Sequence, residues 1–112
     1  MEEAERITPM ILEGDDHPDA IFAVNDDTAI GALYATKQKG FRVPDDIAIC
    51  GFTNSNRSTA CDPMLTTVEQ RGHAMGMEAA DILISQVKGT LSREKVEKRV
   101  VRTQLIVRGS TL

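Results

Sequence analysis

Three spacings of apolar residues recur along this chain. From Glu2 to Glu13, Ile7, Ile11 and Leu12 fall on one face of a helix. Pro9 lies inside that run and should kink or shorten it. Gly14 to Pro18 is rich in turn formers. Ala20 to Val24 is then apolar without interruption, which predicts a strand buried on both faces. Asn25, Asp26 and Asp27 follow and supply N-cap chemistry for a helix from Thr28 to Lys39. Ile30, Leu33 and Tyr34 mark its buried face, and Ala29, Ala32 and Ala35 favour helix strongly. Gly40 stops it. Ile47 to Cys50 predicts a second buried strand, and the helix between the two supplies the crossover that parallel neighbours need.

Beyond Gly51 the pattern changes. Thr53 to Pro63 is polar and small, without period, and reads as a long loop with room for one helical turn. Leu65 to Glu69 is a short extended segment. Gly72 to Val87 is a second strong helix, with Met75, Ala79, Ile82, Leu83 and Val87 as its apolar stripe. Val96 to Arg108 alternates apolar and polar residues and predicts a half-exposed edge strand or hairpin. The result is an α/β chain built on a parallel sheet. Its polar residues gather just past the carboxyl ends of the strands, where open α/β sheets bind small ligands.

Composition narrows the function classes. With 112 residues and 41% apolar content the chain suffices for one compact domain with a core. Thirteen basic residues against 17 acidic ones leave a net charge of −4, and there is no Trp. That balance argues against a nucleic-acid-binding surface on this chain. The basic run from Arg93 to Arg102 is interleaved with Glu94 and Glu97 and reads as a solvated face. No apolar span is long enough to predict a membrane helix. The acidic start, Met1-Glu2-Glu3, does not resemble a signal peptide, and a cytoplasmic location is the expectation.

Candidate chemistry is sparse. Cys50, Cys61, His17 and His73 lack the spacing of a metal site. Gly31 stands alone where a dinucleotide fingerprint would need three glycines, so no cofactor is indicated. The Ser and Thr residues between Thr53 and Thr59 have no neighbouring His to act as base. Asp26 and Asp27 are explained by capping. Asn25 closes the strand, where its amide can both donate to and accept from ligand hydroxyls. Arg57 in the polar loop reads as a solvated loop residue. The chain is therefore expected to bind and not to catalyse.

The ordered motifs carry a family resemblance. They are Pro18-Asp19-Ala20-Ile21-Phe22-Ala23-Val24-Asn25-Asp26, Gly40-Phe41-Arg42-Val43-Pro44-Asp45-Asp46-Ile47, Gly51-Phe52 and Pro63-Met64-Leu65-Thr66-Thr67-Val68-Glu69-Gln70. Together with the tail Leu105 to Thr111 they resemble the C-terminal part of the lactose-repressor and galactose-repressor family of bacterial transcription regulators. The resemblance covers nearly the whole chain. It implies a periplasmic-binding-protein-like fold, here the C-terminal lobe of a two-lobed sensor that is incomplete. Residues 1–112 would form the C-terminal portion of an effector-binding and dimerisation domain. The DNA-binding domain and the first part of the sensor would lie outside the chain.

The same resemblance implies partners and sites. A sugar-like or nucleoside-type effector would close the lobes, and operator DNA would be met only through the missing N-terminal domain. Thr67 to Gln70 would cross between lobes. Effector-facing positions are Asn25, Asp26 and Thr53. Many relatives carry an Asp where Thr53 stands, so a carboxylate grip on ligand hydroxyls is lost here, and Asn54 is the candidate substitute. Dimer contacts would come from Ile30, Tyr34 and Met64. The helix from Gly72 to Val87 needs a packing surface, which predicts a homodimer or larger assembly. A fragment of a periplasmic sugar- or solute-binding protein is the alternative reading, since it shares the fold.

Overall fold

The computed structural model describes residues 1–112. The chain divides into two compact units. The first comprises Met1–Glu69 and Gln104–Leu112, and the second Gln70–Thr103.

The first unit opens with α1 (Glu2–Ile11), continues through β1 (Ala20–Phe22), α2 (Asp26–Gln38) and β2 (Ala48–Cys50), and passes through a 3-10 turn (Asn56–Thr59) to β3 (Thr67–Glu69). The chain returns as β4 (Gln104–Ile106). β1 and β2 run parallel, with Ile21 opposite Ile49 and Phe22 opposite Cys50. Parallel bridges from Cys50 to Thr66 and from Thr53 to Glu69 carry the pairing on to β3. β3 and β4 pair antiparallel, Glu69 facing Gln104.

Leu12, Leu33, Ile47, Ile49 and Leu65 are fully buried, with the alanines of α2 filling the space between them. Pro9 does not stop α1, because it falls in the last turn and removes only one ladder bond. α1 lies close on α2 because Gly31 has no side chain: a Cβ there would stand 2.6 Å from the carbonyl oxygen of Met1.

β1 departs from the sequence pattern. An unbroken apolar run predicts burial on both faces, yet Phe22 and Val24 are 67% and 77% exposed. The burial alternates: Ala20, Phe22 and Val24 share one face and are exposed, while Ile21 and Ala23 turn to the other and are covered. Within Val96 to Arg108 only Gln104–Ile106 is strand.

The second unit is α3 (Gly72–Val87) with the segment that follows it. No residue of α3 is buried, and Met77, Leu83, Ile84 and Val87 are all exposed. Arg99 gathers the later segment onto the helix. Its Nη1 donates to Glu78 at 2.9 Å and to Asp81 at 2.7 Å, while Nε reaches Glu97 at 3.3 Å. No helix of the chain is long and apolar enough to cross a membrane.

Candidate functional site

The carboxyl ends of β1 and β2 meet at one rim. The Asp26 amide donates to the Phe52 carbonyl at 3.0 Å, which locks the two strand exits side by side. Asn25, Asp26, Asp27, Thr53 and Ser55 line a shallow open concavity of about 230 Å³ there. Enclosed small-molecule pockets typically run from about 300 Å³ upward, and this concavity is smaller and more open than that.

Asn25 and Thr53 are the exposed members of the rim that have side-chain atoms to spare. Asn25 is the N-cap of α2, extended at φ −156°, and its Oδ1 accepts from the Thr28 amide at 2.8 Å. The capping role that the sequence assigned to Asp26 and Asp27 therefore belongs to Asn25, and its Nδ2 remains available to a ligand. Replacing Asn25 with Ala should cost about 1 kcal/mol through loss of the cap, and with Gly only a few tenths. Urea denaturation of the two variants reads that difference.

Thr53 has φ 125°, a backbone region that β-branched residues rarely enter. Its amide donates to the Val68 carbonyl at 3.0 Å. Asn54 follows at φ 55°, in the left-handed region that asparagine tolerates.

Asp26 has a structural role beside its place on the rim. It is 1% exposed; Oδ1 accepts from the Thr67 hydroxyl at 2.5 Å and Oδ2 from the Ser55 amide at 2.6 Å. It braces the rim loop against β3 while lining the concavity. Asn54 is not among the residues that line it. Its Nδ2 donates to Glu69 at 2.8 Å and its Oδ1 accepts from Arg108 at 2.9 Å.

Of the residues expected at a dimer interface, Ile30 is 3% exposed and belongs to the core. It sits on the side of α2 that packs inward, so it cannot contribute appreciable contact area. Tyr34 and Met64 are 45% and 50% exposed. Arg57 turns to Asp27, with Nη1 donating at 2.7 Å. Such an exposed pair contributes little.

Four residues central to the rim escape a reading of periodicity: Thr66, Thr67, Arg108 and Ser110. The Ser110 hydroxyl donates to the Ile49 carbonyl at 2.5 Å and accepts from the Thr66 amide at 2.8 Å. Only the resemblance, through the Pro63–Gln70 motif and the tail, pointed there, because these partners lie more than 40 residues apart in sequence. For Asp26 a signal did exist. Two acidic residues directly behind an Asn N-cap are more than one helix start requires.

Larger concavities exist elsewhere. One, of about 500 Å³, lies in the second unit between α3 and residues 97–101, where Glu78, Glu97 and Arg99 are paired with one another. Another, of about 310 Å³, is an apolar groove between α1 and β1. Neither gathers free polar groups as the rim does. Both cysteines are free, and burial pushes both thiols above their ordinary range, which leaves them poor nucleophiles. No group of three His, Cys, Asp or Glu is placed to hold a metal ion.

Parallel strands that deliver polar side chains to one open rim define the wall of an α/β ligand-binding domain. Residues 1–111 match the sequence profile of the periplasmic binding protein-like domain family, and the chain belongs to that family. The HTH-type transcriptional repressor CytR of Escherichia coli K12 is 39% identical over 94 residues, 84% of this chain and 27% of that protein. The HTH-type transcriptional repressor PurR of Pasteurella multocida is 38% identical over 103 residues, 89% of this chain and 29% of that protein. A crystal structure of a LacI family transcriptional regulator from Arthrobacter sp. FB24 in complex with lactose superposes with a TM-score of 0.85 at 27% identity, over 97% of this chain and 41% of that one. The resemblance read from the motifs is thus borne out, and so is the periplasmic-binding-protein-like fold. The chain spans between a quarter and a third of the length of these curated relatives.

Proposed function

We propose that this chain is the C-terminal, effector-sensing and dimerising part of a lactose-repressor-type transcription regulator. The effector is a small hydroxylated molecule of sugar or nucleoside type, and the chain performs no catalysis. The observation that carries this reading is the placement of Asn25 and Thr53 on adjoining parallel strand ends, around a single concavity. Amide and hydroxyl groups of this kind donate and accept in pairs with ligand hydroxyls. The relatives bear on the same point: two are named as repressors, and the third was solved with lactose.

In this reading operator DNA is contacted by another domain, consistent with the acidic balance of the chain. The working compartment is the cytoplasm. Association into a homodimer or larger assembly uses Tyr34 and Met64, and the apolar surface of α3 is covered by further protein. The relatives named as repressors favour a regulator over a periplasmic solute binder.

Nuclear magnetic resonance titration of the ¹⁵N-labelled chain with lactose, ribose, cytidine and adenosine is the test. Amide shifts should concentrate at Asn25, Thr53 and Ser55, with weak affinity, because one wall buries only part of a ligand. Shifts confined to other surfaces with all four probes would overturn the assignment. Micromolar affinity would show that the rim is a more complete site than its open shape implies.

A further inference from the structure

The rim loop is held in an uncommon backbone conformation by a residue almost at the other end of the chain. Thr53 and Asn54 both have positive φ. A β-branched residue so placed is strained, and the conformation persists only where the surroundings over-determine it. Three loop amides are tethered: Thr53 to the Val68 carbonyl at 3.0 Å, Asn54 to the Thr67 hydroxyl at 3.2 Å, and Ser55 to Asp26 at 2.6 Å. What fixes the loop from behind is the guanidinium of Arg108. Its Nη2 donates to Asn54 Oδ1 at 2.9 Å, and its Nη1 donates to Ser58 Oγ and to the Leu65 carbonyl, each at 2.9 Å.

The stem of that arginine is itself anchored. Thr66 Oγ1 accepts from the Arg108 amide at 2.8 Å and lies 3.0 Å from the Arg108 carbonyl oxygen, to which it can donate. The charge-bearing fork therefore starts from a fixed backbone and ends on three acceptors in two different segments. A lysine has no planar fork and cannot reproduce that pattern. Asn54 then passes the restraint on, since its Nδ2 donates to Glu69. Glu69 is the last residue before the chain leaves the first unit.

We infer that Arg108 is the positioning residue of the effector rim. It holds Thr53 and Asn54 in left-handed geometry, and through Asn54 it ties the rim loop to the strand by which the chain departs at Glu69. The inference rests on the rim being effector-facing and assigns the residue that shapes it. A ligand that draws on Thr53 acts, through this linkage, on Asn54 and Glu69. By reciprocity, a change at Glu69 that is felt by Asn54 alters the rim's affinity to the same degree.

Amide hydrogen exchange on the ¹⁵N-labelled chain tests the positioning directly, in the parent and in Arg108→Lys. Exchange at Asn54 and Ser55 should accelerate about tenfold or more, while Ile49 and Gly51 in the sheet stay within about twofold. Arg108→Met, which removes the fork and leaves the backbone preference at Asn54 unchanged, should give the same local pattern and stands in if the lysine variant does not fold. Unchanged loop exchange, or equal acceleration of loop and sheet, would overturn the inference. Repeating the lactose and ribose titrations on both variants separates the two readings. If no probe perturbs the rim of the parent chain, the effector reading fails while the exchange result still decides the role of Arg108.

Discussion

Replacing Asp26 with Ala should lower the stability of the chain by about 3–5 kcal/mol, a large share of the 5–15 kcal/mol typical of a domain. The Asp26 carboxylate is fully buried, and its two oxygens satisfy the Thr67 hydroxyl and the Ser55 amide. Truncation removes two charge-assisted bonds and leaves two donors in a site that water reaches poorly. Each orphaned donor costs about 1–3 kcal/mol. Asp26→Asn keeps one acceptor oxygen but brings two amide hydrogens against existing donors, so it should recover no more than about half the loss. Urea denaturation followed by circular dichroism measures both. A midpoint for the Ala variant within about 1 kcal/mol of the parent would mean that Asp26 is not the brace.

Gly51→Ala should cost about 3 kcal/mol, at the upper end for inserting one carbon into a packed core. An added Cβ would run into Asp26 Oδ1 and into the Leu65 side chain at 2.8 Å, with Ala29 at 3.2 Å on a third side. Asp26 and Leu65 are both fully buried, and Asp26 is held at both oxygens, so neither can give way. The effect should reach the rim as well, since displacing Asp26 releases the Ser55 amide. The same denaturation series, with the Ser55 amide resonance as local reporter, checks both parts. A stable variant with an unmoved Ser55 resonance would contradict the packing argument.

The contrast between these two residues shows what could be read from the sequence. The β-α-β order, the stop at Gly40 and the full extent of α3 from Gly72 to Val87 were all legible, because periodicity and caps are local signals. The exposure of one face of β1 was not. An apolar run reports what a strand would like to bury, and says nothing of whether a neighbour is present on each face. The rim was legible as a location, since it needs only two strand ends, and Asn25 and Thr53 both lie exposed on it.

The division of labour inside the rim was not legible. Asn25, Asp26 and Asn54 are chemically similar, and what separates them is which donors and acceptors are already occupied. Those partners are Ser55 of the rim loop, Thr67 and Glu69 of β3, and Arg108 of the tail. Ile30 illustrates the same difficulty on α2. Its helical spacing from Tyr34 gives no means of telling which of the two is covered; both line one concavity with Arg57, Ala60 and Cys61, yet only Ile30 is buried.

The register of β3 with β4 has one more consequence. Glu69 and Gln104 face each other across the ladder, so residues 70–103 begin and end at neighbouring Cα positions. Opposed residues in an antiparallel pair stand only about 4.5–5.5 Å apart. That stretch is thus a closed excursion from an otherwise continuous hairpin.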